Sequence, residues 1–153
     1  MPPGYDPQGE AYLLGIDVGT GSARAGLFTR DGELVATGKH DIALWREGAD
    51  IAEQSSNDIW SAVCKAVRGA VEKAGIDPGL VAGLGFDATC SGVVLGEGGK
   101  PLPAGTSGDP ERNIIVWMDH RAIALSEKAR QGSKTLSETV LLARGLDVVP
   151  EFL

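Results

Sequence analysis

The sequence is short of the features that mark several classes of protein. Its 153 residues contain two cysteines, two histidines and only 5% aromatic residues. Cys64 and Cys90 fit no metal-ligand spacing and do not indicate a secreted disulfide framework. No stretch approaches the roughly 18 consecutive apolar residues of a membrane-spanning helix. The first ten residues have neither a basic region nor an apolar stretch, so we predict no signal peptide and a flexible tail over residues 1–10.

Positive charge is also scarce. Lys and Arg number 14 against 21 Asp and Glu, which gives a net charge of −7. Nucleic acids and anionic membrane surfaces attract basic patches, so we expect neither as a partner. A small anionic substrate remains compatible, because single arginines and backbone N–H groups can bind it. We expect a cytoplasmic protein, and the sequence leaves the oligomeric state open, with a homo-oligomer allowed.

What is present indicates an ordinary α/β domain. The chain is 42% hydrophobic and 23% charged, a globular balance, and its 22 glycines indicate many tight turns. Apolar runs predict strands at 12–17, 23–29 and 33–40, joined by short turns into an antiparallel meander. A second buried strand is predicted at 81–86. The predicted fold is therefore a mixed sheet that begins antiparallel and continues with parallel strands, flanked by helices.

Helices and loops are predicted from capping and turn residues and from the spacing of apolar residues. A helix is expected from a cap at Ser55 or Ser56 to Gly75, because apolar residues recur between them at helical spacing. Residues 45–54 are expected to be irregular, with Glu53 solvated. A hairpin is expected at 93–102, a short strand at 114–117, and helices at 118–130 and 136–143.

The turn between the first two predicted strands is best suited to chemistry. It contains, in order, Asp17, Val18, Gly19, Thr20, Gly21, Ser22, Ala23 and Arg24. Glycines let backbone N–H groups approach an anion, while hydroxyls and an arginine add donors suited to phosphate oxygens. Asp17, at the strand end, is placed to hold Mg²⁺ through water. An ordinary hairpin turn rich in Gly, Ser and Thr explains the same residues about equally well.

The residues on the C-terminal side of this turn exclude two common phosphate loops. A Walker loop requires Gly-Lys followed by Ser or Thr, which the turn lacks. The dinucleotide-binding fingerprint requires a helix after its glycines, whereas a strand is predicted here.

Two further groups of polar residues come directly after predicted strands. The range 87–91 reads Asp-Ala-Thr-Cys-Ser, and the range 117–121 reads Trp-Met-Asp-His-Arg. Ligands in α/β folds gather beyond the carboxyl ends of strands, so we expect Asp17 and Asp87 to face one cleft. Simpler interpretations of the second group stay open, with Asp119 as a helix N-cap, Trp117 as a core aromatic and His120 as a solvated residue.

The ordered set of segments resembles the FGGY family of sugar kinases, which have the actin/hexokinase-type (ribonuclease H-like) fold. The turn at 17–24 is similar to the family's first phosphate motif. The range 53–60 resembles the segment before its first helix, and 83–91 resembles its sugar-contacting loop after the fourth strand. The range 115–122 resembles its later Trp-Asp-Arg segment. By this resemblance, residues 11–153 are part of the amino-terminal kinase domain.

The resemblance implies ATP as phosphate donor, with Mg²⁺, and a small sugar or polyol as acceptor. The implied cofactor-binding residues are Asp17, Gly19, Thr20, Gly21, Ser22 and Arg24, with Mg²⁺ held by Asp17 through water. The implied substrate-binding residues are Asp87, Ala88, Thr89, Trp117, Asp119 and Arg121. The segments 86–91 and 117–121 are most similar to those of the ribulokinase and D-ribulose (ribitol) kinase branch, which implies a pentulose or pentitol.

Length is where the chain departs from the family, whose members have two large domains. The family's catalytic base is an aspartate farther downstream, so we assign no catalytic residue within this chain. We expect an amino-terminal portion of a kinase that is inactive alone. The alternative is a non-catalytic sugar- or nucleotide-binding fragment, or an interaction module on an actin-like half-fold.

Overall fold

The computed structural model describes residues 10–132. Its strands are, in chain order, β1 (Tyr12–Val18), β2 (Ser22–Thr29), β3 (Leu34–Asp41), β4 (Trp45–Glu47), β5 (Ile51–Gln54), β6 (Val81–Ala88), β7 (Gly92–Val93) and β8 (Ile114–Ile115). Its α-helices are α1 (Ser56–Ala74) and α2 (Ile123–Gly132). In this described part, neither helix is long and apolar enough to cross a membrane. The predictions for 1–9 and 136–143 lie outside the described residues.

The main sheet has the strand order β3-β2-β1-β6. Its first three strands form the predicted antiparallel meander, with Asp17 opposite Arg24. β6 then pairs in parallel with β1, with Asp87 in register with Asp17. A parallel neighbour requires a crossover connection, and α1 supplies it by packing over β2 and β3. The predicted mixed sheet, antiparallel first and then parallel, is confirmed.

Helix α1 begins and ends where its sequence predicts. The Ser55 hydroxyl accepts a hydrogen bond from the Asp58 backbone N–H at 3.2 Å, which satisfies a donor of the first turn. Gly75 ends the helix with a φ of 66°, a left-handed conformation that favours glycine. The apolar face of the helix packs on the sheet. The core consists of Leu14, Ile16, Val18, Ala23, Ala25, Leu27, Ile42, Ala62, Val63, Ala66 and Ala70.

Gly38 is a point of very close approach between β3 and α1. A Cβ atom at Gly38 would clash with the Ala66 carbonyl oxygen, a backbone atom that cannot turn aside. We therefore expect Gly38→Ala to lower the free energy of unfolding by about 3 kcal/mol through overpacking. Urea unfolding followed by circular dichroism measures the change.

Gly69→Ala, on α1, is the matched control because a Cβ atom there meets nothing within 4 Å. It should raise the free energy of unfolding by about 0.5–1 kcal/mol, since alanine favours a helix over glycine. Similar effects of the two substitutions would contradict the close packing at Gly38.

Residues 45–54 form two strands, so the prediction of an irregular segment is wrong. β4 and β5 pair with Trp45 opposite Glu53, and Gly48, with a φ of 61°, lies in the turn between them. They belong to a second sheet of order β4-β5-β8-β7. Strands this short show no clear alternation in sequence, and the pairing of β5 with the distant β8 stabilises them.

The strand predicted at 81–86 is present as β6, but the prediction that it is buried is wrong. Leu84 is 63% exposed and Phe86 is 54% exposed. β6 lies at the edge of the main sheet, beyond the strands that α1 covers. The apolar run identified a strand, whereas burial depends on what packs against it.

The remaining elements differ from prediction mainly at their ends. The hairpin predicted at 93–102 is reduced to a bridge between Leu95 and Pro101. The strand predicted at 114–117 is shortened to β8. The helix predicted from residue 118 begins at Ile123, because the Asp119 carboxylate accepts a hydrogen bond from the Arg121 N–H and stabilises a turn there.

Candidate functional site

The turn that joins β1 to β2 is held by backbone hydrogen bonds. The Gly19 N–H donates to the Ser22 carbonyl at 3.0 Å, and the Ile42 N–H donates to the Gly21 carbonyl at 3.0 Å. The Arg24 guanidinium lies over Gly19, where a Cβ atom would be 3.1 Å from Arg24 Nη2. Backbone donors, hydroxyls and a cation are thus gathered at one hairpin tip, a combination suited to phosphate.

Asp17 and Arg24 form an ion pair across this hairpin, with 2.7 Å between Asp17 Oδ2 and Arg24 Nη2. The Arg24 side chain is 57% exposed and that of Asp17 is 47% exposed. Water therefore screens the pair, and its contribution to folding is small. Both groups remain accessible to a ligand.

Asp87 lies beside Asp17, because β1 and β6 pair in parallel with these residues in register. Both line an open cavity of about 690 Å³ on the main sheet. Gly26, Gly15 and Gly85 stand side by side on three adjacent strands that line the cavity, and the Phe28 ring lies against the first two. The structure thus brings the two aspartates to one cavity, as the strand-end argument predicted.

The carboxylates of this cavity fit Mg²⁺ that arrives with a nucleotide. In phosphoryl-transfer sites Mg²⁺ takes one or two carboxylates and completes its shell with water and phosphate oxygens. Asp17 can supply such a carboxylate. Within residues 10–132, no cluster of three or more His, Cys, Asp or Glu side chains is suited to hold a metal. Binding of the metal here would therefore depend on phosphate oxygens.

Trp117 connects the turn at 17–24 with the loop after β6. Its indole N–H donates to Thr20 Oγ1 at 3.0 Å, and its backbone N–H donates to Ser91 Oγ at 3.2 Å. The Thr89 N–H donates to the Val18 carbonyl at 3.1 Å. Trp117 is 60% exposed, so it is not a core aromatic. The three segments that the sequence analysis singled out, 17–24, 87–91 and 117–121, therefore meet at Trp117.

Glu53 was expected to be a solvated loop residue, and that prediction is wrong. It lies on β5 with 1% of its surface exposed. Arg112 Nε donates to one of its carboxylate oxygens at 2.7 Å, and Arg121 Nη2 donates to the other at 2.7 Å. Arg112 also forms an ion pair with Glu47 on β4. The carboxylate thus holds together three segments that are distant in sequence.

Asp119 and Arg121 belong to this same ionic network. Arg121 Nε and Nη2 donate to the two oxygens of Asp119 at 2.8 and 2.7 Å, and the Ala52 N–H donates to Asp119 Oδ2 at 2.8 Å. Burial would raise the pKa of Asp119, but the Arg121 guanidinium and the backbone donors outweigh it and lower that pKa to about 2. Asp119 precedes α2 by a full turn, so it is not the N-cap. The network supports the segment that carries Trp117.

Acid should weaken the fold through Asp119. Its folded pKa of about 2 lies below the ordinary value of 3.8, so the carboxylate stabilises the fold above the unfolded pKa. The contribution, about 2 kcal/mol, is lost as the pH falls from about 5 towards 2. Urea unfolding between about pH 7 and about pH 3 should show this loss in the wild type and a smaller one in Asp119→Asn. Equal losses in the two proteins would contradict the assignment.

Two buried polar residues were not assigned roles from the sequence. Gln54 is 1% exposed and Asn113 is 0% exposed. Asn113 Oδ1 accepts a hydrogen bond from the Ser56 N–H at 2.9 Å, and Asn113 Nδ2 donates to the Val94 carbonyl at 3.2 Å. The one feature of the sequence that could have drawn attention to Gln54 was its position in the segment 53–60, which resembles the family's segment before its first helix. Nothing local distinguishes Asn113 from a loop residue.

Comparison with known proteins agrees with this geometry. A model of the FGGY family of carbohydrate kinases, N-terminal domain, matches residues 12–144. An FGGY carbohydrate kinase domain-containing protein of Homo sapiens is 46% identical over 121 residues, which cover 79% of this chain and 22% of that protein. A D-ribulokinase of Saccharomyces cerevisiae is 43% identical over 136 residues, which cover 86% of this chain and 19% of that protein.

A solved structure has the same fold. Gluconate kinase from Lactobacillus acidophilus superposes with a TM-score of 0.68 at 22% identity, over 87% of this chain and 24% of that one. The chain spans about a fifth of the length of the two curated relatives. The family model covers most of the chain, including the turn at 17–24 and the segments around Asp87 and Trp117. This chain therefore belongs to the FGGY family of carbohydrate kinases and carries the N-terminal domain of that family.

Proposed function

We propose that this chain supplies the phosphate-binding turn and the sugar-binding loop of an ATP-dependent kinase that phosphorylates a pentulose or pentitol of the D-ribulose type. The observation that carries the proposal is the shared cavity, where Asp17 and Arg24 on one hairpin lie beside Asp87 on the adjacent strand. Its polar groups differ in kind, with backbone donors and a cation on the hairpin and a carboxylate on β6. The 43% identity to the yeast D-ribulokinase supports the pentulose.

The hairpin is suited to the phosphates of the nucleotide. Phosphoryl transfer requires little covalent chemistry from the protein, because positioning and charge neutralisation dominate. The N–H group of Gly21 and the hydroxyls of Thr20 and Ser22 donate to phosphate oxygens, while Arg24 offsets their charge and Gly19, whose own N–H closes the turn, leaves room for the ligand. Mg²⁺, when bound with the nucleotide through Asp17 and water, supplies further neutralisation of the transferred group.

The loop after β6 is suited to a polyol. The Asp87 carboxylate accepts hydrogen bonds from sugar hydroxyls. Ala88 and Thr89 follow it with small side chains, and they line a second cavity of about 260 Å³. Trp117, which is 60% exposed, offers an apolar face to the carbon skeleton. Asp119 and Arg121 support the segment that carries this indole. No residue of this chain is assigned as the base that accepts the proton of the sugar hydroxyl.

A segment-exchange protein tests the proposal. Residues 12–144 of this chain replace the matching segment of the yeast D-ribulokinase, and we call this protein the exchange chimera. ADP release is measured with D-ribulose, ribitol, D-xylulose, glycerol and gluconate. We expect turnover with D-ribulose or ribitol. A folded chimera that acts on none of these substrates, or only on glycerol or gluconate, would contradict the proposal.

A second candidate function is sugar or nucleotide binding without catalysis. The chain spans about a fifth of the length of its relatives, and the predicted base lies beyond the matched segment. The 153-residue chain alone should therefore show no sugar-dependent ATP consumption. Calorimetric titration with Mg²⁺-ADP and with D-ribulose decides whether binding persists, and robust turnover by the chain alone would refute this expectation.

Asp87 should determine how well the sugar binds. We expect Asp87→Ala in the exchange chimera to raise the KM for D-ribulose by about 10- to 100-fold, because hydrogen bonds to a charged acceptor contribute about 1.5–3 kcal/mol. The KM for ATP should change much less. Initial rates at varied sugar and at varied ATP separate the two constants.

Asp31→Ala is the control for this substitution, since Asp31 is an exposed aspartate in the turn between β2 and β3. It should leave both constants unchanged. Equal increases of both constants in Asp87→Ala, or a large loss of folded protein, would favour a structural role for Asp87. A change confined to ATP would reverse the assignment of the two loops.

A further inference from the structure

Thr20, at the tip of the β1–β2 hairpin, is held from two sides by residues distant in sequence. The Gln54 side-chain amide donates to the Thr20 backbone carbonyl, with 2.6 Å between Nε2 and oxygen. The Trp117 indole N–H donates to Thr20 Oγ1 at 3.0 Å. Gln54 is 1% exposed, so water does not compete with this hydrogen bond. The turn therefore does not depend on its own backbone alone for its shape.

The chemistry of the indole determines what the Thr20 hydroxyl can do. An indole N–H only donates, so the hydroxyl must accept this hydrogen bond. A hydroxyl has one proton and two lone pairs, and the proton stays available for another acceptor. The indole positions Thr20 Oγ1, and Gln54 positions the Thr20 backbone carbonyl. The Thr20 O–H donor is therefore oriented before a ligand arrives. A preorganised donor is worth more to a ligand than one that must first be ordered.

The other end of Trp117 is tied to the loop after β6. Its backbone N–H donates to Ser91 Oγ at 3.2 Å, and Ser91 Oγ lies 3.3 Å from Thr89 Oγ1. The Thr89 N–H in turn donates to the Val18 carbonyl at 3.1 Å, two residues before Thr20. These bonds close a ring through Thr20, Trp117, Ser91, Thr89 and Val18. A displacement of the loop therefore moves the indole on which the Thr20 hydroxyl depends.

We propose that Gln54 and Trp117 are positioning residues that orient Thr20 towards a nucleotide phosphate, and that the Trp117–Thr20 hydrogen bond couples this turn to the sugar-binding loop. The inference deepens the proposed function and rests on it for the identity of the anion. It assigns Gln54 a role in phosphate binding, although Gln54 is buried behind the turn. It also gives Trp117 a second role besides contact with a sugar.

The hydrogen bond itself is tested without any ligand. The chain has three tryptophans, so an ¹⁵N-labelled sample of the whole chain gives three indole signals in its NMR spectrum. Trp117→Phe identifies one of them. Thr20→Val should shift this signal and speed its exchange with water severalfold, Thr20→Ser should preserve it, and the Trp60 signal should stay in place. An unchanged Trp117 signal in Thr20→Val overturns the proposal.

The positioning role is tested by titrating the same chain with Mg²⁺-ADP. The amide signals of residues 19–22 and the Trp117 indole signal should move together in the wild type. Gln54→Met and Trp117→Phe should each raise the Kd by about three- to tenfold, the loss expected for one hydrogen bond. Trp60→Phe is the matched control, because Trp60 is 63% exposed on α1, and it should leave the Kd unchanged.

The outcomes separate this inference from the proposed function. If the turn amides respond to Mg²⁺-ADP but both substitutions leave the Kd unchanged, the positioning role is overturned and the phosphate site remains. If the turn amides respond and the indole does not, the coupling is overturned. If no amide of the turn responds, the phosphate site fails and the positioning role fails with it. Should Gln54→Met not fold, Trp117→Phe still decides the result.

Discussion

Asp17→Asn in the exchange chimera should lower kcat by about 100-fold or more, with little change in melting temperature. The substitution removes the charge that would hold Mg²⁺ and its waters beside the phosphates, and loss of one such electrostatic contact typically costs about 10²–10³ in rate. The folded state loses only the ion pair to Arg24, whose partners are 47% and 57% exposed. An exposed pair contributes less than about 1 kcal/mol, so the stability should barely change.

The measurement compares turnover with the thermal midpoint of the same samples. Arg24→Ala should behave like Asp17→Asn, because the guanidinium offsets phosphate charge at the same hairpin tip. Asp41→Asn is the matched control, since it breaks the exposed pair with Lys39 at the end of β3. It should change neither quantity. A strong fall in melting temperature with turnover intact would mean that the turn is a structural hairpin and that our assignment is wrong.

Glu53→Ala should have the largest effect on stability, about 3–5 kcal/mol. Removing the central carboxylate of a buried ionic network leaves an excess of buried positive charge, although Arg112 keeps Glu47 and Arg121 keeps Asp119. Here the guanidinium groups of Arg112 and Arg121 would both lose an acceptor at 2.7 Å. Because these arginines anchor the segment before β8 and the 117–121 segment to β5, the second sheet should loosen first.

Urea unfolding of the 153-residue chain gives the total loss, and hydrogen exchange locates it. Glu47→Ala is the matched control, because Glu47 also pairs with Arg112 but its side chain is 50% exposed. It should cost less than about 1 kcal/mol, as exposed pairs do. If Glu53→Ala were no more harmful than Glu47→Ala, the network would not be what stabilises β5 against its neighbours.

Local features of the chain were predicted well. Ser55 and Gly75 bound α1 as their types predict, and three apolar runs separated by short turns gave the meander of β1, β2 and β3. The segments 17–24, 87–91 and 117–121 were selected from the residues they contain. Their roles towards a nucleotide and a sugar remain predictions, while the structure brings all three segments together at Trp117. Only Asp17, Arg24 and Asp87 of these segments line the cavity on the main sheet.

The sequence by itself determined the strands of the meander, the limits of α1 and the composition of the hairpin turn. Each of these depends on residues close together in the chain, where caps, turns and periodicity act. Only the tertiary structure decided that Glu53 is buried, that residues 45–54 form strands and that β6 is exposed. Glu53 meets Arg112 and Arg121, and Thr20 meets Trp117, across stretches of chain that no local pattern connects. Burial and pairing are properties of what lies opposite a residue, and that partner is known only once the chain has folded.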